Sequence, residues 1–246
     1  MKTISTKQYV NPILNQLKDL NTSNSDKSSI SEEQWRLLDS QILAHRVKFP
    51  ILEYAAVELA EIFSSTQIED LLFKIAKARH ISSYPVIGKL LQLQLGTNLE
   101  NIYQNAIDHI IQGDKWYACD IISERVFGVG TLKDFELSLR LMTKMGEHDN
   151  QWIQRSIGIA THYATKKGLP KHQAEQLFML MLSHGHKTSL YIKKGIGWPA
   201  KTVARFHPDL IYKHEVLIKS HKLSKWFKNK INIGLSMAKQ PPISYE

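Results

Sequence analysis

The sequence has one cysteine and no long apolar run. Cys119 is the sole cysteine in 246 residues, which excludes an intramolecular disulfide framework and a four-cysteine metal site. No stretch approaches the roughly 18 unbroken apolar residues of a membrane-spanning helix. The segment Met1–Val10 lacks the apolar region of a secretion signal. We therefore expect a cytoplasmic protein that works in a reducing compartment and does not enter a membrane.

Acidic residues are scarce in the last quarter of the chain. The whole sequence carries 32 Lys and Arg against 23 Asp and Glu, a net charge of +9. Residues 187–246 contain 12 of those cations and only Asp209, Glu215 and Glu246 as acids, so the entire excess lies there. A solvated basic tail would give the same count. However, the cations alternate with aromatic residues, which favours a nucleic-acid surface; these are Trp198, Phe206, Trp226 and Phe227.

Apolar periodicity predicts helices throughout and no strand, so the fold class is all-α. Capping boxes are predicted at Ser31–Gln34 and Thr66–Glu69. Further N-caps are predicted at Asn98, Asp114, Thr131 and Asp149. The predicted starts, near residues 31, 50, 66, 82, 98, 114, 131, 149, 170, 188 and 208, are about 16–21 residues apart, so two helices make a unit of HEAT-repeat size.

Self-comparison supports a repeat. Trp152–Gly158 aligns with Tyr191–Gly197, and in both segments an isoleucine follows the aromatic residue by five positions, as Ile121 follows Trp116. We expect residues 1–246 to form one α-solenoid domain of HEAT-like helix pairs with a concave basic face. Residues 1–30 would be an N-terminal helix and loop, and residues 240–246 a loose tail.

The helical register separates a core stripe from a polar face. When each of the three helices is numbered from its aromatic residue at about 100° per residue, one stripe is apolar; it contains Ile153, Ile157, Ala160, Ala164, Ile192, Ile196 and Val203. The other face combines exposed tryptophans, one carboxylate and several cations; it contains Trp116, Asp120, Trp152, Arg155, His162, Lys166, Lys194, Trp198, Lys201 and Arg205. Exposed tryptophans indicate a binding surface, because the core stripe already supplies the apolar contacts.

The segments Trp116–Asp120, Asn150–Arg155 and Tyr191–Trp198, followed by Pro208-Asp209, resemble the AlkD-type bacterial DNA alkylation repair glycosylases. The resemblance covers about residues 100–215. It implies a HEAT-like α-solenoid that holds duplex DNA containing alkylated bases and excises cationic N3- or N7-alkylpurines. It also implies that Trp116, Asp120 and Trp198 line the lesion site and that Arg155 contacts DNA. The implied location is the bacterial cytoplasm, in association with the nucleoid when DNA is bound.

These residue types suit that chemistry. A cationic purine is already a good leaving group, so catalysis needs a carboxylate that stabilises the positive charge developing on the sugar. We expect Asp120 to be this catalytic group and to orient the attacking water. Trp116 and Trp198 would contact the lesion by cation–π interactions. Backbone phosphates would be bound from the remaining polar face; the predicted DNA-binding residues are Trp152, Arg155, Lys166, Lys194, Lys201 and Arg205.

Two other functions remain open at this stage. A non-catalytic HEAT-like module could bind damaged or branched DNA through the same face, and a protein scaffold could use it to bind an acidic protein. His184-Gly-His186 is interpreted as a polar loop, since no acids or further cysteines accompany it. We expect no metal or organic cofactor and a monomer. Pro199 predicts either a kink in its helix or a helix that restarts there.

Overall fold

A computed structural model describes residues 3–22, 28–220 and 222–238. The all-α prediction is confirmed, because the described residues contain helices and one isolated bridge, between Ile4 and Val47, but no strand. The first helices are α1 (Lys7–Thr22), α2 (Glu32–Leu38), α3 (Phe49–Ile62), α4 (Ser65–Ala78), α5 (Ser83–Leu93), α6 (Leu99–Gly113) and α7 (Trp116–Ser123). They are followed by α8 (Val129–Lys133), α9 (Phe135–Gly146), α10 (Gln151–Lys166), α11 (Lys171–His184), α12 (Leu190–Phe206), α13 (Pro208–Lys213), α14 (Glu215–Ser220) and α15 (Lys225–Ser236).

The predicted helix starts agree with these bounds to within a few residues. The capping box at Ser31 and Gln34 and the N-cap at Asn98 are confirmed. The predicted capping box at Thr66 is wrong, since Ser64 and Gln67 form it two residues earlier. The predicted tail at residues 240–246 and part of the predicted N-terminal loop lie outside the described residues.

Three predicted N-caps are wrong because a neighbouring residue has the required backbone geometry. Asp114 has a left-handed φ of 44° and ends α6, whereas the N-cap position of α7 falls on Lys115. Thr131 lies inside α8, where its hydroxyl donates to the Phe127 carbonyl at 2.7 Å.

The later caps are shifted along the chain. Asp134 caps α9 by accepting from the Leu137 amide at 3.1 Å. Asn150, rather than the predicted Asp149, caps α10 by accepting from the Trp152 amide at 2.8 Å. An Asp or Asn side chain can cap a helix only from an extended residue just before it, so closely spaced candidates are hard to separate by sequence.

The chain forms two compact units, residues 1–126 and residues 127–246. In the first unit, α5 packs against α3 and α7. Tyr84 of α5 meets Tyr117 of α7, and Gly88, one turn later, meets Ile122 and Arg125. The contacts advance in the same sense along both helices, so α5 and α7 run parallel. Whether residues 1–246 form a single repeat domain stays a prediction.

In the second unit, α12 packs closely against both α10 and α15. Its contacts with α10 also advance in parallel, from the tilted ring pair of Trp152 and Tyr191 to the rings of His162 and Trp198. The residues compared in the self-alignment, Trp152 and Tyr191, are therefore spatial neighbours on successive parallel helices. The predicted core stripe is confirmed, because all of its residues are buried; they are Ile153, Ile157, Ala160, Ala164, Ile192, Ile196 and Val203.

Pro199 neither interrupts nor restarts α12, which continues from Leu190 to Phe206. Proline has no amide hydrogen, so the Gly195 carbonyl lacks its usual helical donor. This carbonyl lies against Gly158 of α10, where a Cβ would fall only 2.6 Å from the Gly195 carbonyl carbon. The absence of a Cβ at Gly158 thus allows the two backbones to approach.

We predict that Gly158→Ala lowers the free energy of unfolding by about 1–3 kcal/mol, because its methyl group would overlap backbone rather than a movable side chain. The measurement is equilibrium unfolding in urea. Gly96→Ala is the control, since a Cβ there meets nothing within 4 Å and reduces the freedom of the unfolded chain. Equal stabilities for the two variants would contradict the proposed close approach.

Candidate nucleic-acid interface

A cleft of about 300 Å³ opens in the second unit. Side chains from α10, α12 and α15 line it, and they are His162, Lys166, Trp198, Lys201, Thr202, Arg205, Phe206 and Lys230. Four of the predicted site residues meet here: Lys166, Trp198, Lys201 and Arg205. The helical register of the sequence had placed these four residues on one face, and they do share a surface.

The lining of this cleft is basic and aromatic. Among the described residues, it has four permanent cations, Lys166, Lys201, Arg205 and Lys230, and no carboxylate. Trp198 is 40% exposed and Phe206 is 47% exposed. Uncompensated cations repel one another, and their mutual repulsion is relieved when an anion enters. The cleft is therefore suited to a ligand that carries negative charge and offers flat rings to the aromatic side chains.

The Trp198 ring is held by two side chains of α10. The guanidinium carbon of Arg155 lies over it, 5.8 Å from the ring centroid. The imidazole of His162 is tilted by 45° to it at a centroid distance of 5.6 Å. Because Arg155 also donates from Nη1 to the Tyr191 carbonyl at 3.0 Å, its position is fixed by the backbone of α12. This arrangement presents the ring to solvent in a defined orientation.

A short hydrogen-bond chain fixes the protonation pattern of His162. The Thr202 hydroxyl donates to the Trp198 carbonyl at 3.0 Å and lies 2.6 Å from Nδ1 of His162. A hydroxyl has a single hydrogen, so Thr202 accepts from Nδ1–H of His162. In the neutral ring, Nε2 then carries the lone pair.

The environment of His162 favours this neutral form. Burial lowers the pKa of His162 below its ordinary value, and the positive charges of Lys166 and Lys201 lower it further. Both effects disfavour the imidazolium. At neutral pH, His162 therefore adds a hydrogen-bond acceptor to the cleft rather than a fifth positive charge.

The predicted exposure of Trp152 and Arg155 is wrong, because each is only 5% exposed. The Trp152 ring packs against Tyr191 at a centroid distance of 4.5 Å. The side-chain stem of Arg155 occupies the space opened by Gly195, where a Cβ would lie 2.7 Å from its Cγ. Trp152 thus joins two helices, and Arg155 supports Trp198 from behind. The expectation of an exposed phosphate contact at Arg155 does not fit this burial.

Lys194 is exposed, as predicted, but it lies apart from Lys201 and Arg205, the other predicted cations of its helix. It is on α12, seven residues before Lys201, and it does not line the cleft. Its predicted role in DNA binding therefore receives no support from the cleft geometry.

The first unit contains the other two predicted lesion residues. Trp116 is the first residue of α7, is 54% exposed, and meets Tyr117 edge to face at 5.7 Å. Asp120 follows one turn later and is 9% exposed. The indole is thus available for contact, whereas the carboxylate lies mostly below the surface. Their assignment as lesion-contacting and catalytic residues stays a prediction.

Four cleft residues were absent from the predicted set of binding residues; they are His162, Thr202, Phe206 and Lys230. The helical register placed His162 on the polar face, but no sequence pattern indicated its hydrogen bond to Thr202. Lys230 is on α15, for which the repeat comparison provides no register. In the sequence, Lys230 is marked only by the clustering of cations with Trp226. This clustering predicts a basic aromatic surface but does not indicate which lysines share a face.

The described residues contain no group of three or more His, Cys, Asp or Glu side chains placed to hold a metal ion. His184 is buried at the end of α11, and Gly146 packs against its ring. Among the described helices, none is long and apolar enough to cross a membrane.

A comparison with known protein families identifies a family to which the chain is similar. The model of a family described as DNA alkylation repair enzyme matches residues 50–224, more than half of the chain. This range includes Trp116 and Asp120 and all of α10 and α12. Searches among curated proteins and among solved structures find no match.

We predict that His162 titrates with a pKa below that of an ordinary histidine and that Lys201→Met raises it, because one repelling charge is removed. Imidazole resonances followed by NMR across the acid range give this pKa directly. Lys194→Met is the matched control, since it removes a charge from the same helix outside the cleft. A pKa in the wild-type protein at or above the ordinary value would contradict the described environment.

Proposed function

The chain belongs to the family of DNA alkylation repair enzymes, and we propose that it is a DNA glycosylase. Its substrate would be duplex DNA with cationic N3- or N7-alkylated purines, and its reaction the hydrolysis of the N-glycosidic bond. The observation that carries this proposal is the cleft around Trp198, where the described lining residues place four cations and no carboxylate beside an exposed indole.

The cleft is suited to the two chemical parts of such a substrate. Lysine and arginine bind backbone phosphates, and this electrostatic contribution weakens as salt increases. The faces of Trp198 and Phe206 can stack on bases or contact a cationic base by a cation–π interaction, worth about 0.5–2 kcal/mol each. Support of the Trp198 ring by Arg155 and His162 reduces the conformational entropy lost on binding.

The proposed chemistry depends on Asp120. Cleavage of the glycosidic bond leaves positive charge on the deoxyribose, and a nearby carboxylate stabilises it. In a largely buried position a carboxylate interacts more strongly with such charge than it would in water. We propose that Asp120 supplies this stabilisation and that Trp116, exposed one turn earlier on α7, contacts the lesion.

We further propose that the helices form an α-solenoid of HEAT-like pairs. Within each unit, alternate helices lie side by side and run parallel, as α5 and α7 do in the first and α10 and α12 in the second. Packing of each repeat against the equivalent elements of the next is the arrangement expected of a solenoid.

A non-catalytic module that binds damaged or branched DNA is the second candidate. The observation that favours it is the low exposure of Asp120, 9%, because a group acting on substrate must reach the sugar. The cleft around Trp198 would serve this function without any catalytic carboxylate.

We predict that the protein releases free 7-methylguanine from a duplex and that Asp120→Asn lowers the single-turnover rate by about 10²–10³-fold, the usual effect of removing one electrostatic stabiliser. Released base is measured by chromatography. As a control, the circular dichroism spectrum and the duplex affinity of Asp120→Asn should both equal those of the wild type. If the wild-type protein bound the duplex but released no base, the non-catalytic binding module would be the better interpretation. An unchanged rate of base release in Asp120→Asn would exclude a catalytic role for Asp120.

We also predict that Lys201→Ala and Arg205→Ala each weaken duplex binding, and that the slope of log K against log salt falls by about one per lost phosphate contact. Fluorescence anisotropy at several salt concentrations gives both quantities. Lys194→Ala removes the same charge outside the cleft and should change them less. If all three variants bound duplex DNA like the wild type, a protein scaffold would be the better interpretation.

A further inference from the structure

The C-terminal helix α15 begins at Lys225, one residue beyond the stretch that the family model matches. It nevertheless packs along α12, the helix that carries Trp198. At one end of this contact, a Cβ at Gly197 would meet Nε1 of Trp226 at 2.6 Å. At the other end, Gly234 lies against the Lys201 carbonyl, and a Cβ there would fall 2.6 Å from that of Ala204. Glycines on both helices thus fix α15 closely against the cleft.

The side chain of Lys230 is restrained at two points, its Cγ and its ammonium group. A Cβ at Gly197 would meet its Cγ at 3.1 Å, and its ammonium nitrogen lies 4.4 Å from the centroid of the Trp226 ring. The indole N–H of Trp226 is buried with no hydrogen-bond partner among the described residues. Such burial costs free energy, so packing against Gly197 and the cation–π contact, rather than a hydrogen bond, hold this ring. The ring in turn restrains Lys230 at the cleft.

The two faces of α15 differ in charge. Lys230 lines the cleft with three other cations, and no carboxylate of the described residues lies in that lining. Lys228, two residues earlier, lines a separate groove of about 250 Å³ together with Ile211 and Tyr212. That groove also contains Glu215, which pairs with Lys219 at 2.6 Å. Of these two linings, as far as the described residues go, the one that includes Lys230 has cations without a carboxylate among them.

We propose that α15 is a DNA-binding element and that Lys230 binds a backbone phosphate of duplex DNA in the cleft around Trp198. This inference rests on the proposed function in that it takes duplex DNA as the ligand. It adds a binding residue outside the family match and gives Trp226 a positioning role. Because α10 supplies Lys166 and α12 supplies Lys201 and Arg205, Lys230 places a cation on the third wall of the cleft.

The test compares Lys230→Ala with Lys228→Ala in the full chain, using anisotropy of a labelled undamaged duplex over a range of salt. Each variant loses one charge from the same helix, so a general effect of net charge is equal in both. We expect Lys230→Ala to raise Kd several-fold and to reduce the salt slope by about one, and Lys228→Ala to resemble the wild type. Equal Kd values and slopes for the two variants would overturn the inference.

Variants of Trp226 separate positioning from folding. Trp226→Leu should reproduce the binding loss of Lys230→Ala, because it removes the ring that restrains the ammonium group. Trp226→Phe keeps an aromatic face and should restore most of the affinity. If both variants keep wild-type affinity and salt slope at unchanged thermal stability, the positioning role of Trp226 is wrong.

Base release distinguishes this inference from the proposed function. Selective loss of duplex affinity in Lys230→Ala, with no base released by the wild-type protein, would support the DNA-binding helix and reject the glycosylase. Base release by the wild type, with identical salt slopes in both lysine variants, would reject the inference and leave the glycosylase. Absence of any duplex binding by the wild type would overturn both.

Discussion

The close approach of α12 to its two neighbours is the constraint on which the candidate interface depends. Gly158 and Gly195 allow backbone contact between α10 and α12. Gly234 of α15 lies against the backbone of α12, and Gly197 leaves room for the side chains of Trp226 and Lys230. Pro199 fits this contact, because the Gly195 carbonyl that loses its helical donor is also the one that lies against Gly158. Pro199 would destabilise an isolated helix, but here the contacts of α12 with its neighbouring helices determine the backbone conformation. The spacing of the three helices in turn determines which side chains converge near Trp198.

This close packing has an electrostatic consequence. It brings four cations to one cleft that has no acid among its described lining residues, and it partly removes His162 from water, so the pKa of His162 is lowered. Natural surfaces usually intersperse both signs of charge, and a local departure from that pattern is a common property of binding sites. The aromatic rings beside the cations restrict the suitable ligands further, toward anions with flat rings. Nucleic acid has both properties in every nucleotide.

Local sequence signals predicted the helices well and the binding surface only in part. Helix starts and the buried isoleucine stripe depend on apolar periodicity and on capping residues. Both are local features that can be recognised within the sequence of one helix. Trp152 and Trp198 occupy similar angular positions in the predicted register, yet one is 5% exposed and the other 40%. The neighbouring helices account for the difference: the Tyr191 ring packs against Trp152 at a centroid distance of 4.5 Å, whereas the ring beside Trp198, that of His162, lies farther away, at 5.6 Å. Exposure of a residue on a helical face is thus a tertiary property that its own register does not determine.

The charges that lower the pKa of His162 would also couple its protonation to the binding of an anion in the cleft. Lys166 and Lys201 face His162 from α10 and α12, while Arg205 and Lys230 contribute to the same positive lining. An anion that enters offsets their repulsion of the imidazolium, and it therefore raises the pKa of His162. By linkage, a protonated His162 binds that anion more tightly. The bond from Nδ1 to Thr202 persists in both protonation states, so the added proton goes to Nε2 and the ring beside Trp198 keeps its orientation.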